Sequence, residues 1–200
     1  MRKGENYNRP QKGDKISVDP IRKIKDIQSI TKLLHGNPRD HLLFVMGTNN
    51  GLRTGDLLKL KVGDVMNLKV GDVLTILEEK TRKKNILVMN KSIFKSLQVY
   101  LEVMKPNKEA MLFKSRKGND AITIQHVNIL VKRWTRMINL KGNFGAHSLR
   151  KTWGYVQRTH YGVGFEILCK RFNHSSPSIT MRYLGIEDKE VQNILMNEVG

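Results

Sequence analysis

The chain has 200 residues, enough for one domain with a substantial core. Its 36 lysines and arginines against 18 acidic residues give a formal charge of +18 and a pI near 10.1. That balance favours a polyanionic partner, because each neutralised phosphate releases condensed counterions, and nucleic acid stands ahead of a ribosomal-type role, an anionic membrane or a merely solubilising surface.

The single cysteine, Cys169, excludes an internal disulfide and a thiolate zinc site, which fits a reducing compartment. No apolar run nears the roughly 20 residues that span a bilayer, so a soluble, cytoplasmic protein with no membrane partner is expected.

Residues 1–20 are rich in Lys, Arg, Gly, Asn and Pro and poor in apolar side chains. They read as a flexible basic arm, and 21–200 as one domain. From Ile21, apolar residues recur at Ile24, Ile27, Ile30, Leu33 and Leu34 with helical spacing, and Gly36-Asn37-Pro38 stops that helix. A second helix should run from Pro38 to the break at Asn49-Asn50-Gly51, and a short third should begin near Arg53.

Next comes an echo, Leu60-Lys61-Val62-Gly63-Asp64-Val65 and Leu68-Lys69-Val70-Gly71-Asp72-Val73, which reads as turns and strands. Val73 to Leu77 and Asn85 to Met89 are β-type runs joined by the charged turn Lys80 to Lys84, the pattern of a hairpin. The rest is helical: Ser92 to Val103, Thr123 to Leu140, His147 to Thr159, Phe165 to Phe172, Pro177 to Leu184 and Asp188 to Val199. The fold class is therefore α+β and mainly helical, a small antiparallel sheet of about three strands packed on a helical bundle.

Four segments carry residues suited to holding and attacking a phosphodiester. In Asn50 to Asp56, Arg53 can present its planar fork to a phosphate oxygen while Asp56 orients the guanidinium; alone, this would be an ordinary solvated arginine. Lys80 in the hairpin turn could donate a proton to a departing oxygen, although any of the basic residues of that turn could be simple surface charge.

His147 and Arg150 lie three apart, so on a helix they share a face and can reach one phosphate, where arginines stabilise the charge gathered in a pentavalent transition state. In Asn173 to Gly185, Ser176-Pro177 is a helix start, and the helix carries Tyr183 two turns from His174. A tyrosine is usually a packed residue with a bonded hydroxyl. As a nucleophile, with a reference pKa of about 10, it needs a cationic, phosphate-binding site.

In order, these segments resemble the tyrosine recombinase, or phage integrase, family over roughly Ile21 to Val199. The matching pattern is Asn50-Gly51-Leu52-Arg53, Lys80, His147 to Arg150, Asn173-His174-Ser175-Ser176 and Tyr183. The resemblance implies a catalytic domain that cuts and rejoins double-stranded DNA through a 3′-phosphotyrosyl intermediate, with no cofactor and no metal.

It implies that Arg53 and Arg150 clamp the scissile phosphate, Lys80 protonates the 5′ oxygen, and His147 acts as acid, base or phosphate ligand. His174 would bond a non-bridging oxygen, Tyr183 would attack, and Asp56 would support from behind. Asn173 departs from the glycine common in relatives, but asparagine tolerates the same left-handed geometry.

Relatives usually add a separate helical domain ahead of this one, and residues 1–20 offer no counterpart, so low and salt-sensitive DNA affinity is expected. A dimer or tetramer on DNA and a monomer without it follow from the resemblance. The last helix, with Val191, Ile194, Leu195 and Val199 on one face, packs either on its own core or on a neighbouring protomer.

The acids are too scattered for a two-metal transposase or nuclease. A type IB topoisomerase-like nicking-closing enzyme and a DNA-binding regulator that has lost turnover are the remaining alternatives.

Overall fold

The computed structural model describes residues 17–186, together with 195, 196 and 198. The elements run α1 (Ile24–Leu33), α2 (Pro38–Asn50), α3 (Thr54–Leu58), α4 (Val62–Val65), β1 (Val73–Leu77), β2 (Lys84–Val88), α5 (Lys91–Met104), α6 (Ile124–Met137), α7 (Ala146–Thr159), α8 (Phe165–Phe172) and α9 (Pro177–Leu184). Apart from 195, 196 and 198, the span of the expected terminal helix, Asp188 to Val199, lies outside the described residues, as do residues 1–16 of the expected arm.

Local chemistry sets the helix boundaries. Side chains of Asn37, Asn90, Thr123 and Ser176 accept hydrogen bonds from backbone N–H groups in the first turns of α2, α5, α6 and α9. Pro38 and Pro177 occupy first-turn positions where no donor is needed. Gly51 and Gly185 end α2 and α9 in the left-handed region, and Asn173 does the same for α8 with φ 53°.

α2 is buried nearly all round through Leu42, Leu43, Phe44, Val45 and Met46, because α5 packs on one side of it and α7 on another. Phe44 meets Trp134 of α6 edge-on, and the Tyr100 hydroxyl of α5 donates to the Leu112 carbonyl at 2.8 Å. A second, smaller core joins Leu168 and Phe172 of α8 to Leu184 of α9 and to Ile186, with Trp153, Tyr155 and Tyr183 against it.

Among the described residues the sheet has two strands rather than about three, paired antiparallel from Val73 opposite Val88 to Leu77 opposite Lys84. The echoed segment explains the difference. In each copy the aspartate accepts from the backbone N–H three residues back, Lys61 to Asp64 at 2.7 Å and Lys69 to Asp72 at 2.8 Å. These bonds curl the first copy into α4 and the second into the turn before β1, leaving Lys61 only an isolated bridge to Met111.

Ser17 to Pro20 pack on the body rather than extending the arm. The Asp19 N–H donates to Asn143 O at 2.7 Å, and the Asn143 N–H returns a bond to Asp19 Oδ2 at 2.9 Å. No helix among the described residues is long and apolar enough to cross a membrane.

Candidate active site

The α2 C-terminus delivers Arg53, the hairpin turn delivers Lys80, α7 carries His147 and Arg150, and the turn from α8 into α9 carries His174 and Tyr183. All of these expected residues converge at one end of α7. Electrostatic coupling links Tyr183 to Arg150 and Arg53, His174 to the same two arginines, and His147 to Arg150, Arg53 and Lys80.

Arg150 is the keystone of the arrangement. It is 2 % exposed, and its guanidinium donates to the carbonyls of Gly51 and Phe172, each at 2.7 Å. Those carbonyls belong to the loops that lead into Arg53 and His174, so one side chain fixes the spacing of both. Its carbon sits 4.6 Å from the centre of the Phe172 ring, and burial pulls its pKa down to about 10.

Gly51 is required where it stands. Its φ is 61°, and a Cβ there would enter the indole of Trp153.

Asp56 does not orient Arg53. It is buried, but its Oδ1 accepts from the Glu79 backbone N–H at 3.0 Å, which holds the start of the hairpin turn instead. The carboxylate paired with Arg53 is Glu78, which is fully buried at the end of β1. Burial would raise the Glu78 pKa, but hydrogen bonds from Thr81, Asn85, Asn173 and Arg53 outweigh it and hold the acid at about 2.

Sequence reasoning also missed Arg171. It donates to Asn50 O, Asn85 Oδ1 and Ile86 O, tying α8 to the end of α2 and to β2.

Tyr183 projects from the last turn of α9, its ring edge-on to Phe172 at 5.4 Å and to His174 at 5.1 Å. Its hydroxyl is buried without a hydrogen bond of good geometry, although Arg150 is near enough to favour the phenolate. Burial raises the phenol pKa, and Arg150 and Arg53 oppose that rise without cancelling it.

His174 is half-buried, its Nδ1 2.9 Å from Thr180 Oγ1. Burial first, then the charges of Arg150 and Arg53, lower its pKa to about 4. His147, in the first turn of α7, is shifted the same way by desolvation and then by Arg150, Lys151, Lys80 and Arg53. Both imidazoles are thus held neutral near pH 7, able to donate at one nitrogen and accept at the other.

The phage integrase family profile matches residues 23–190. The chain belongs to the phage integrase family. It is 38 % identical over 174 residues to a probable integrase/recombinase, YoeC, of Bacillus subtilis (strain 168), covering 86 % of this chain and 91 % of that one.

Among solved structures, XerA recombinase superposes with a TM-score of 0.71 at 15 % identity, over 94 % of this chain and 68 % of that chain. XerH site-specific recombinase, bound to palindromic difH substrate in a post-cleavage complex, gives 0.69 at 19 % identity, over 92 % of this chain and 53 % of that chain. At those identities the superpositions establish the shared fold. The expected fold and enzyme class, the DNA strand breaking-and-rejoining domain of an integrase/recombinase, are those of the family.

Proposed function

We propose that the chain is the catalytic domain of a site-specific DNA recombinase in which Tyr183 is the nucleophile. The carrying observation is the buried Tyr183 hydroxyl, held in no hydrogen bond of good geometry yet within electrostatic reach of an arginine anchored to both neighbouring loops. A phosphate drawn into this pocket meets Arg150, Arg53 and His174, and the charge gathering on its non-bridging oxygens is stabilised by donors already in place.

The Tyr183 oxygen attacks phosphorus, its proton passes to the neutral His147, and the bond from phosphorus to the 5′ oxygen breaks. Lys80 protonates the departing 5′ hydroxyl, and the 3′ phosphate stays on Tyr183. An incoming 5′ hydroxyl reverses these transfers, so the phosphodiester bond is conserved and neither ATP nor a metal ion enters the balance. Asp56 supports this chemistry by holding the turn that carries Lys80.

DNA as partner accords with the charge of +18 and with the complex described for XerH. Each chain supplies one Tyr183, and exchange between two duplexes cuts more than one strand, so the working form is a dimer or tetramer on DNA, assembled in the cytoplasm from monomers.

The test is incubation with a library of nicked suicide duplexes of randomised core sequence, followed by denaturing electrophoresis in EDTA. A covalent protein–DNA species that disappears in Tyr183→Phe is the expected result. Its absence across the whole library, or its persistence in that variant, overturns the reading.

A further inference from the structure

Lys151 follows the anchoring arginine on α7, and no step above uses it. It is 6 % exposed, an unusual place for an ammonium group, since a buried charge costs stability unless it is paired. Its Nζ lies 4.9 Å from the centre of the Tyr183 ring and donates to Ser17 Oγ at 2.9 Å. Burial, and to a lesser degree Arg22, lower its pKa, and the Asp19 carboxylate only partly offsets them.

Ser17 and Asp19 are themselves held. Asp19 and Asn143 exchange the two bonds already described, Asn143 Nδ2 donates to Ser17 O at 3.0 Å, and the Ile21 N–H donates to Thr152 Oγ1 at 2.8 Å. Residues 17–21 thus form a strap beside α7, tied to Asn143 and Thr152, with Ser17 bonded to Lys151.

We infer that Lys151 is a positioning residue for Tyr183, held by Ser17 on the strap that Asp19 pins to Asn143, through which the chain preceding α1 sets the orientation of the nucleophile. The phenol ring is then gripped from its face by Lys151 and from its edges by Phe172 and His174, while Arg150 and Arg53 act on its hydroxyl. A space-filling role alone would be served by methionine at lower cost, whereas a cation over an aromatic face restricts how the ring turns. The inference rests on Tyr183 being the nucleophile, and it adds a route by which anything attached ahead of residue 17 could tune attack.

The experiment compares the full chain with Lys151→Met, Lys151→Arg and Asp19→Asn on a suicide duplex selected from the library. Lys151→Met should form the covalent species about tenfold more slowly at saturating DNA with unchanged duplex affinity, and Lys151→Arg, which keeps a cation over the ring, should recover most of that loss. In the free protein, Asp19→Asn should speed amide hydrogen exchange in residues 177–184, a readout independent of catalysis that also serves if Lys151→Met does not fold.

Cleavage by Lys151→Met at the wild-type rate, a Lys151→Arg variant as slow as Lys151→Met, or unchanged exchange in Asp19→Asn would each overturn the inference. These results leave Tyr183 as nucleophile intact. A wild-type protein that forms no covalent species removes both readings together.

Discussion

Glu78 holds Arg53 from inside the protein: its carboxylate is fully buried and paired with the guanidinium, while the Arg53 side chain keeps 19 % of its surface exposed toward the site. The acid is ionised at every physiological pH because its pKa stands at about 2 against an ordinary 4.5. Since the folded value is the lower one, this stability is complete above about pH 4.5 and drains away as pH falls toward 2. Its size is on the order of 3 kcal/mol.

Glu78→Gln should therefore cost about 3 kcal/mol, flatten the acid limb of stability between those pH values and slow covalent-complex formation at least tenfold. Urea denaturation across pH and the suicide-duplex assay measure the two effects. Equal rates in the variant and wild type would remove Glu78 from the support of Arg53.

His174 makes a second, separable contribution to acid sensitivity. Its folded pKa of about 4 lies below the usual 6.5, so between those values the unfolded chain takes up a proton that the folded chain refuses. Stability should be full above pH 6.5 and decline as pH drops to 4. Replacing His174 with glutamine should remove its share of the loss in that window, leaving the shares of His147 and His41 and the lower loss set by Glu78 in place. In NMR titration the His174 ring should remain neutral at pH 6 and protonate near 4; a midpoint near 6.5 would contradict the burial and cationic crowding described here.

The helices, and the place of Tyr183 on one of them, were legible in the sequence because their signals are local. Ser176-Pro177 starts α9, Phe165 to Phe172 has helical spacing, and His147 and Arg150 fall on one face whatever the rest of the chain does. Glu78 and Arg171 carried no such signal. Glu78 sits among Glu79, Lys80 and Arg82 and reads as surface charge until the hairpin folds over Arg53; Arg171 reads as the polar face of α8 until Asn50 and β2 reach it.

Asp56 was assigned by its spacing from Arg53, but the fold turns it toward the Glu79 backbone. The missing strand failed for the opposite reason, because a side-chain bond three residues long outcompeted a ladder that needed a distant partner.

Gly51 couples stability to the site directly. Gly51→Ala places a Cβ at a left-handed φ of 61° and inside Trp153, on the residue whose carbonyl receives Arg150. Strain and overpacking together should cost about 2–4 kcal/mol and lower Tm by about 5–15 °C. Calorimetry measures the shift. A variant as stable as wild type would mean that the α2 terminus and Trp153 can separate without penalty.

The assignment of Lys80 among the basic residues of its turn can be settled with the leaving group itself. Lys80 is the one whose charge reaches His147, and Arg171 steadies the strand that follows the turn through Asn85 and Ile86. A general acid matters only while the departing atom is a poor leaving group, and sulfur in place of the bridging 5′ oxygen leaves as a thiolate that needs no proton. Lys80→Ala should therefore lose about 10²–10⁴-fold in cleavage of the ordinary duplex and recover nearly to wild type on the 5′-bridging phosphorothiolate.

Lys83→Ala and Lys84→Ala should behave like wild type on both substrates, and Arg171→Met should show a smaller loss with partial rescue, since it leaves the lysine present but less well aimed. If Lys80→Ala is equally slow on the two duplexes, the lysine holds DNA rather than protonating it, and the proton must come from another group in the pocket.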